Sequence, residues 1–131
     1  MTKLGKYFTL EELIASSTAD KAGINNVPPH DAVVNLKLLV DNILDPAREM
    51  LGEPIYVNSG YRCYELNKIL LGSKTSQHLK GQAADIYTIH MNKLLDILKT
   101  LTFDQFIIYK TKGFYHISYD DNRNRKQILY L

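Results

Sequence analysis

The spacing of apolar residues along the chain changes period several times, and each change marks an element. Thr9-Leu10-Glu11-Glu12 has the pattern of a capping box, Thr9 as N-cap and Glu12 reaching back, and predicts a short helix from Leu10 to about Ser16. Gly23, Asn25-Asn26 and Pro28-Pro29 then interrupt any helical pattern. Asp31 stands where a cap is expected. From Ala32 to about Leu51 the residues Val34, Leu38, Val40, Ile43, Leu44, Ala47 and Met50 fall near helical spacing, with Gly52 as the stop.

Beyond Gly52 the period shortens to two. Ile55 and Val57 face one way and Tyr56 the other, which predicts a strand ending in Asn58-Ser59-Gly60. A helix is expected from about Cys63 to Leu70 before Gly72, followed by a polar loop through Gly81 and a strand in "QAADIYTI". "MNKLLDILKT" is amphipathic, with Leu94, Leu95, Ile97 and Leu98 inward. Three apolar-aromatic runs close the chain, "FDQFIIY", "GFYHISY" and "KQILYL", parted by turn residues and read as antiparallel strands. Helices come first and a sheet gathers late. The expected class is therefore α+β, a small antiparallel sheet with helices packed mainly on one side, in a single domain over 1–131.

Composition narrows the function without choosing one. With 45% hydrophobic and 23% charged residues in 131, the chain can build a core. A net charge of +2 gives no case for nucleic acid as a partner, and "NRNRK" at 122–126 reads as a solvated turn. The lone Cys63 excludes an internal disulfide and any cysteine-rich zinc site. No run approaches the roughly 20 apolar residues of a membrane span, so membrane insertion is not expected. The start shows no signal-peptide pattern, which leads to the expectation of a protein made in the cytoplasm.

Two stretches carry candidate chemistry. In "SQHLKGQAAD", His78 and Asp85 flank a tight segment in which Gly81 lets the backbone double back and Ala83-Ala84 leave room. His116 lies in "FYHISY", on the face opposite Tyr115 and Ile117. Each has an ordinary reading, a polar loop entering a strand and a strand histidine with one satisfied hydrogen bond. Joined, His78, Asp85 and His116 would make the three-ligand set of a catalytic zinc with one position left to water. His30, after Pro-Pro, and His90, before a helix, read as surface or capping residues. Arg62, after a glycine turn, is either a surface arginine or a bidentate holder of a carboxylate or polarised carbonyl.

"SGYRC" at 59–63, "LN" at 66–67, "SQHLKGQAAD" at 76–85 and "FYHISY" at 114–119 together resemble the zinc D-Ala-D-Ala carboxypeptidase family. It includes phage and bacterial peptidoglycan peptidases of the Hedgehog/DD-peptidase fold. The opening "YFTLEELIASSTADKAGINNVPP" also resembles the N-terminal segment of small phage-type members, so the resemblance spans nearly the whole chain.

The resemblance implies that His78, Asp85 and His116 bind Zn2+, and that Arg62 binds substrate and stabilises the oxyanion. It implies that Ser76 shapes the loop of the first ligand and contributes to substrate binding. The implied reaction is zinc-dependent hydrolysis of an amide in a peptidoglycan stem peptide, by a carboxypeptidase or an endopeptidase. It would act at the cell wall after release or within a virion. The chain departs from the family at the general base: Gly113 and Phe114 stand three and two residues before His116, and Tyr109 follows "FDQFII" where some members have glutamate. Glu65 and Asp104 are the nearest acids to consider. That gap keeps a second expectation open, a wall-binding or phage structural module that does not cut, and a third, a metal-free protein.

Overall fold

A computed structural model describes residues 1–131. The predicted capping box forms: the Thr9 hydroxyl accepts from Glu12 N and the Glu12 carboxylate from Thr9 N, opening α1, Leu10–Ile14. The helix ends two residues earlier than its pattern suggests, because the Ser16 hydroxyl accepts from Ala19 N and caps a separate α2, Ser17–Ala22.

The long helix begins at His30, with extended Pro29 at its cap position, so Asp31 lies inside the first turn rather than at the cap. It runs as α3, His30–Leu39, a π-helical turn, Val40–Leu44, and α4, Asp45–Leu51. Pro46 accounts for the wide turn. It has no N–H to give to the carbonyl four residues back, and its ring crowds that carbonyl. Widening the preceding turn relieves the clash, and Asp45 N reaches Val40 O instead.

The strands are β1, Tyr56–Ser59, β2, Ala83–Tyr87, β3, Gln105–Ile108, β4, Tyr115–Ser118, and β5, Gln127–Tyr130. Between them lie α5, Tyr64–Ile69, a 3-10 turn over Gln77–Lys80, and α6, Met91–Lys99. They make one five-stranded sheet in the order β1-β2-β4-β3-β5. The α+β class holds, but the sheet is mixed: β5 pairs with β3 in parallel. By the time the chain reaches β5, both edges of β4 are occupied by β2 and β3. β5 takes the free edge of β3, and the connection through 119–126 returns the chain in the parallel sense.

Period 2 sorts the residues of the sheet between its faces. Ala84, Ile86, Phe106, Tyr115 and Ile117 face a core shared with Leu36, Leu39, Ile43, Leu44, Leu94 and Leu98 of the helices. The opposite face carries one row across the sheet, Ser59, Asp85, His116 and Ile107, fixed by the registers Ser59↔Asp85, Asp85↔His116 and Ile107↔His116. No helix is long and apolar enough to cross a membrane.

Candidate metal centre

Register brings Asp85 and His116 together, since they are directly opposed on β2 and β4. His116 Nδ1 stands 3.1 Å from Asp85 Oδ1. His78 arrives from the 3-10 turn, with Nε2 3.4 Å from the same oxygen. Its turn is built by Ser76, whose hydroxyl accepts from His78 N, and closed by Gly81 at φ +73°. A side chain at Gly81 would also meet Ala32 O at 2.4 Å, so the reversal requires glycine.

Two hydrogen bonds staple this turn to the one after β1. Arg62 N donates to His78 O at 3.1 Å, and His78 Nδ1 lies 2.7 Å from Gly60 O. A carbonyl only accepts, so the His78 proton sits on Nδ1 and the lone pair of Nε2 faces Asp85. Gly60 itself is pressed against α1. A Cβ there would stand 2.1 Å from Leu13 O, the carbonyl that takes Tyr61 N. Asn26 completes the anchoring, donating to Ile14 O and Tyr61 O and accepting from Cys63 N.

The three donor atoms lie within 4.8 Å of one another. Tetrahedral zinc with bonds of about 2.0–2.1 Å places neighbouring ligand atoms roughly 3.3–3.4 Å apart. The observed 3.1 and 3.4 Å match that spacing, and two imidazoles with one carboxylate are a donor set zinc accepts. The electrostatics agree. Burial lowers the His78 pKa, with Asp85 opposing it, and so favours the neutral ring. Burial pushes the Asp85 carboxyl up, but the two imidazoles beside it, His116 first, outweigh that and hold it well below the usual range.

Arg62 occupies the other oxygen of Asp85, with Nη2 3.3 Å from Oδ2. Its Nε donates to Ser59 Oγ at 2.9 Å and its Nη1 to Asn67 Oδ1 at 3.4 Å. Three of the five N–H groups a guanidinium carries are so used, and two remain for a ligand. Asn67, part of the Leu66-Asn67 motif to which sequence gave no role, is itself fixed by donating to Ser73 O.

All of this lies in an open groove of about 740 Å³ lined by Arg62, Ser76, His78, Asp85, Tyr109 and His116 among others. The candidate bases fare differently. Glu65 is exposed on α5 and does not reach the groove. Asp104 is fully buried, and its oxygens are taken by Arg125 N, Nε and Nη2 and by Gln77 Nε2. Tyr109 does line the groove, and burial pushes its phenol up, so it is protonated at neutral pH. Asp120 is the one groove carboxylate besides Asp85. His30 and His90 lie outside the site and are exposed, His90 against Glu53.

An open groove, a compact donor cluster on one sheet face and a guanidinium beside it are the parts of a metallopeptidase-type centre. A family model described as peptidase M15 matches residues 6–118, most of the chain, and the chain belongs to that family of zinc D-Ala-D-Ala carboxypeptidase-like proteins. No curated protein matches it.

Proposed function

We propose that the chain is a zinc-dependent hydrolase of an amide bond in peptidoglycan stem peptides, acting at the cell wall after release or from within a virion. His78 Nε2, His116 Nδ1 and Asp85 Oδ1 hold the metal. The observation that carries this is the convergence of those three atoms at zinc-ligand spacing, with the His78 tautomer already set by Gly60 O. Zinc bound there supplies Lewis-acid polarisation of the carbonyl and lowers the pKa of a water.

The rest falls to the chain's own residues. Asp85 divides its oxygens between the metal side and Arg62, so the guanidinium that contacts substrate and the metal share one anchor. The free N–H groups of Arg62 bind the substrate carboxylate or the oxygen on which charge develops. Ser76 sets the turn of His78 and lines the groove, where it meets substrate. Tyr109 holds its proton and serves as a donor, not a base.

One observation favours the second reading, binding without cleavage: a phenol stands where a carboxylate base would serve. Loss of a positioned base costs about 10²–10⁴ in rate. Metal analysis combined with mass spectrometry of a muropeptide digest decides. About one zinc per chain with new peptide termini, both lost with chelator, supports the hydrolase. Zinc and muropeptide binding without new termini supports the binding module. Absence of zinc after loading removes both. In the hydrolase, Arg62→Gln is expected to lower kcat by about 10²-fold, as loss of an oxyanion donor does.

A further inference from the structure

The groove holds five cationic side chains, Arg62, Lys80, Lys112, Arg123 and Arg125. Three are answered by carboxylates: Arg62 by Asp85, and Arg123 and Arg125 by Asp104, with Asp120 also acting on Arg125. Lys80 and Lys112 have no carboxylate within ion-pair distance, and both are exposed. The local charge excess of the groove is therefore these two lysines, before any metal is counted.

Lys112 is not a free-swinging surface lysine. It belongs to the hairpin joining β3 and β4, and its Nζ lies 4.4 Å from the centre of the Tyr109 ring and 5.8 Å from that of Phe114. Tyr109 and Phe114 pack on one another with centroids 5.3 Å apart, and all three line the groove. Cation–π attraction thus parks the ammonium on one wall while leaving its N–H groups open. Its place relative to the metal donors follows from the register. Ile107 is paired with His116, and Tyr109, just past the end of β3 and lining the same groove, lies two residues beyond Ile107, roughly 7 Å along the chain from it. That is the span of about two extended peptide residues.

Resting on the proposed peptidase reading, we infer that Lys112, seated on Tyr109 and Phe114, is a specificity-determining residue that selects peptides carrying a free carboxylate within about two residues of the scissile bond, with Lys80 reinforcing the field from the His78 turn. The substrate class is then an acidic peptide. Arg62 meets the reacting region, and Lys112 reads the neighbouring anion.

The test uses a pair of stem peptides identical except that one carboxylate within two residues of the scissile bond is free or amidated. The zinc-loaded wild-type protein is expected to favour the free acid by about tenfold in kcat/KM at low salt, the effect of one charge-assisted hydrogen bond. The preference should shrink as salt rises. In Lys112→Gln the ratio falls towards one, and Lys112→Arg keeps most of it. Equal turnover of the two peptides by wild type, or an unchanged ratio in Lys112→Gln, overturns the inference. If neither peptide is cut, the peptidase reading fails, and the same pair is read by equilibrium binding to the zinc-loaded protein. Tighter binding of the acid that Lys112→Gln abolishes supports the role of Lys112, and equal binding refutes it.

Discussion

Asp85 and Asp104 are both buried aspartates close to the groove, yet they are provisioned in opposite ways. Asp104 is saturated by donors that cannot leave: Arg125 through Nε at 2.8 Å, Nη2 at 3.0 Å and its backbone N at 3.1 Å, and Gln77 Nε2 at 2.8 Å. Asp85 has one permanent cation, Arg62, on Oδ2, while Oδ1 faces two imidazole nitrogens. One of those, His78 Nε2, presents a lone pair, because Gly60 O holds the proton on the other nitrogen. A carboxylate oxygen facing a lone pair is an arrangement that a divalent cation completes. A carboxylate ringed by guanidinium and amide N–H groups is already complete. Asp104 is structural, and through Gln77 it steadies the turn that carries His78; Asp85 is left poised.

The largest test of that contrast is His78→Ala. Removing one of three donors is expected to weaken zinc binding by more than about 100-fold, beyond the 10–100-fold typical of outer-shell changes, as measured by competition with a chromogenic chelator. The fold should survive, since the turn retains its backbone bonds, from residue 78 N to Ser76 Oγ and from Arg62 N to the residue 78 carbonyl. Unchanged affinity would break the comparison by making Asp85 as structural as Asp104.

Asp104→Ala should do the reverse. It strands the half-buried Gln77 amide and loosens the 122–126 segment, with an expected loss of about 2–3 kcal/mol in urea unfolding. Acid sharpens the point. Burial raises the Asp104 carboxyl, but hydrogen bonds from Arg125 and Gln77 outweigh that and set it below its ordinary 3.8. A lowered folded-state pKa means the stabilisation is full above that ordinary value and disappears as pH falls below it. Asp104→Asn should lack this part of the acid dependence while retaining the side-chain shape. Identical acid curves for the two proteins would show that Asp104 is not held as an ion.

Ser76→Ala is the smallest change. It removes the hydroxyl that accepts from His78 N, and a cap of this kind is worth about 0.5–2 kcal/mol. A modest fall in stability accompanied by a few-fold weaker zinc binding would place Ser76 as the builder of the His78 turn. A fall in stability with no effect on zinc would confine it to the backbone.

The capping box at Thr9, the amphipathic α6 and the alternation through β2 and β4 were legible in the sequence because each is a relation among residues a few positions apart. The ligand candidates were legible as motifs, and His78, Asp85 and His116 do converge. The Ser16 hydroxyl that caps α2 and the imino nitrogen of Pro46 behind the π turn were also local signals; the first went unread because α2 has no apolar stripe of its own, and the second was masked by the helical periodicity of residues 32–51. Asp104 had the look of a free acid until its partner, 21 residues away, was in place.

The chain's own order of residues determined which side chains could hold a metal, where the turns beside them reverse, and that a sheet forms late. Tertiary structure alone decided that Asp85 stands opposite His116 rather than one residue off, that β5 runs parallel to β3, and that Asp104 is spent on Arg125. The physical reason is that strand register and ion-pair partners are fixed by competition among distant segments for the same edge or the same buried charge. A one-residue slip would have turned Asp85 or His116 to the core face; the alternation within each strand says which face a residue takes, but not which residue of the neighbouring strand stands opposite it.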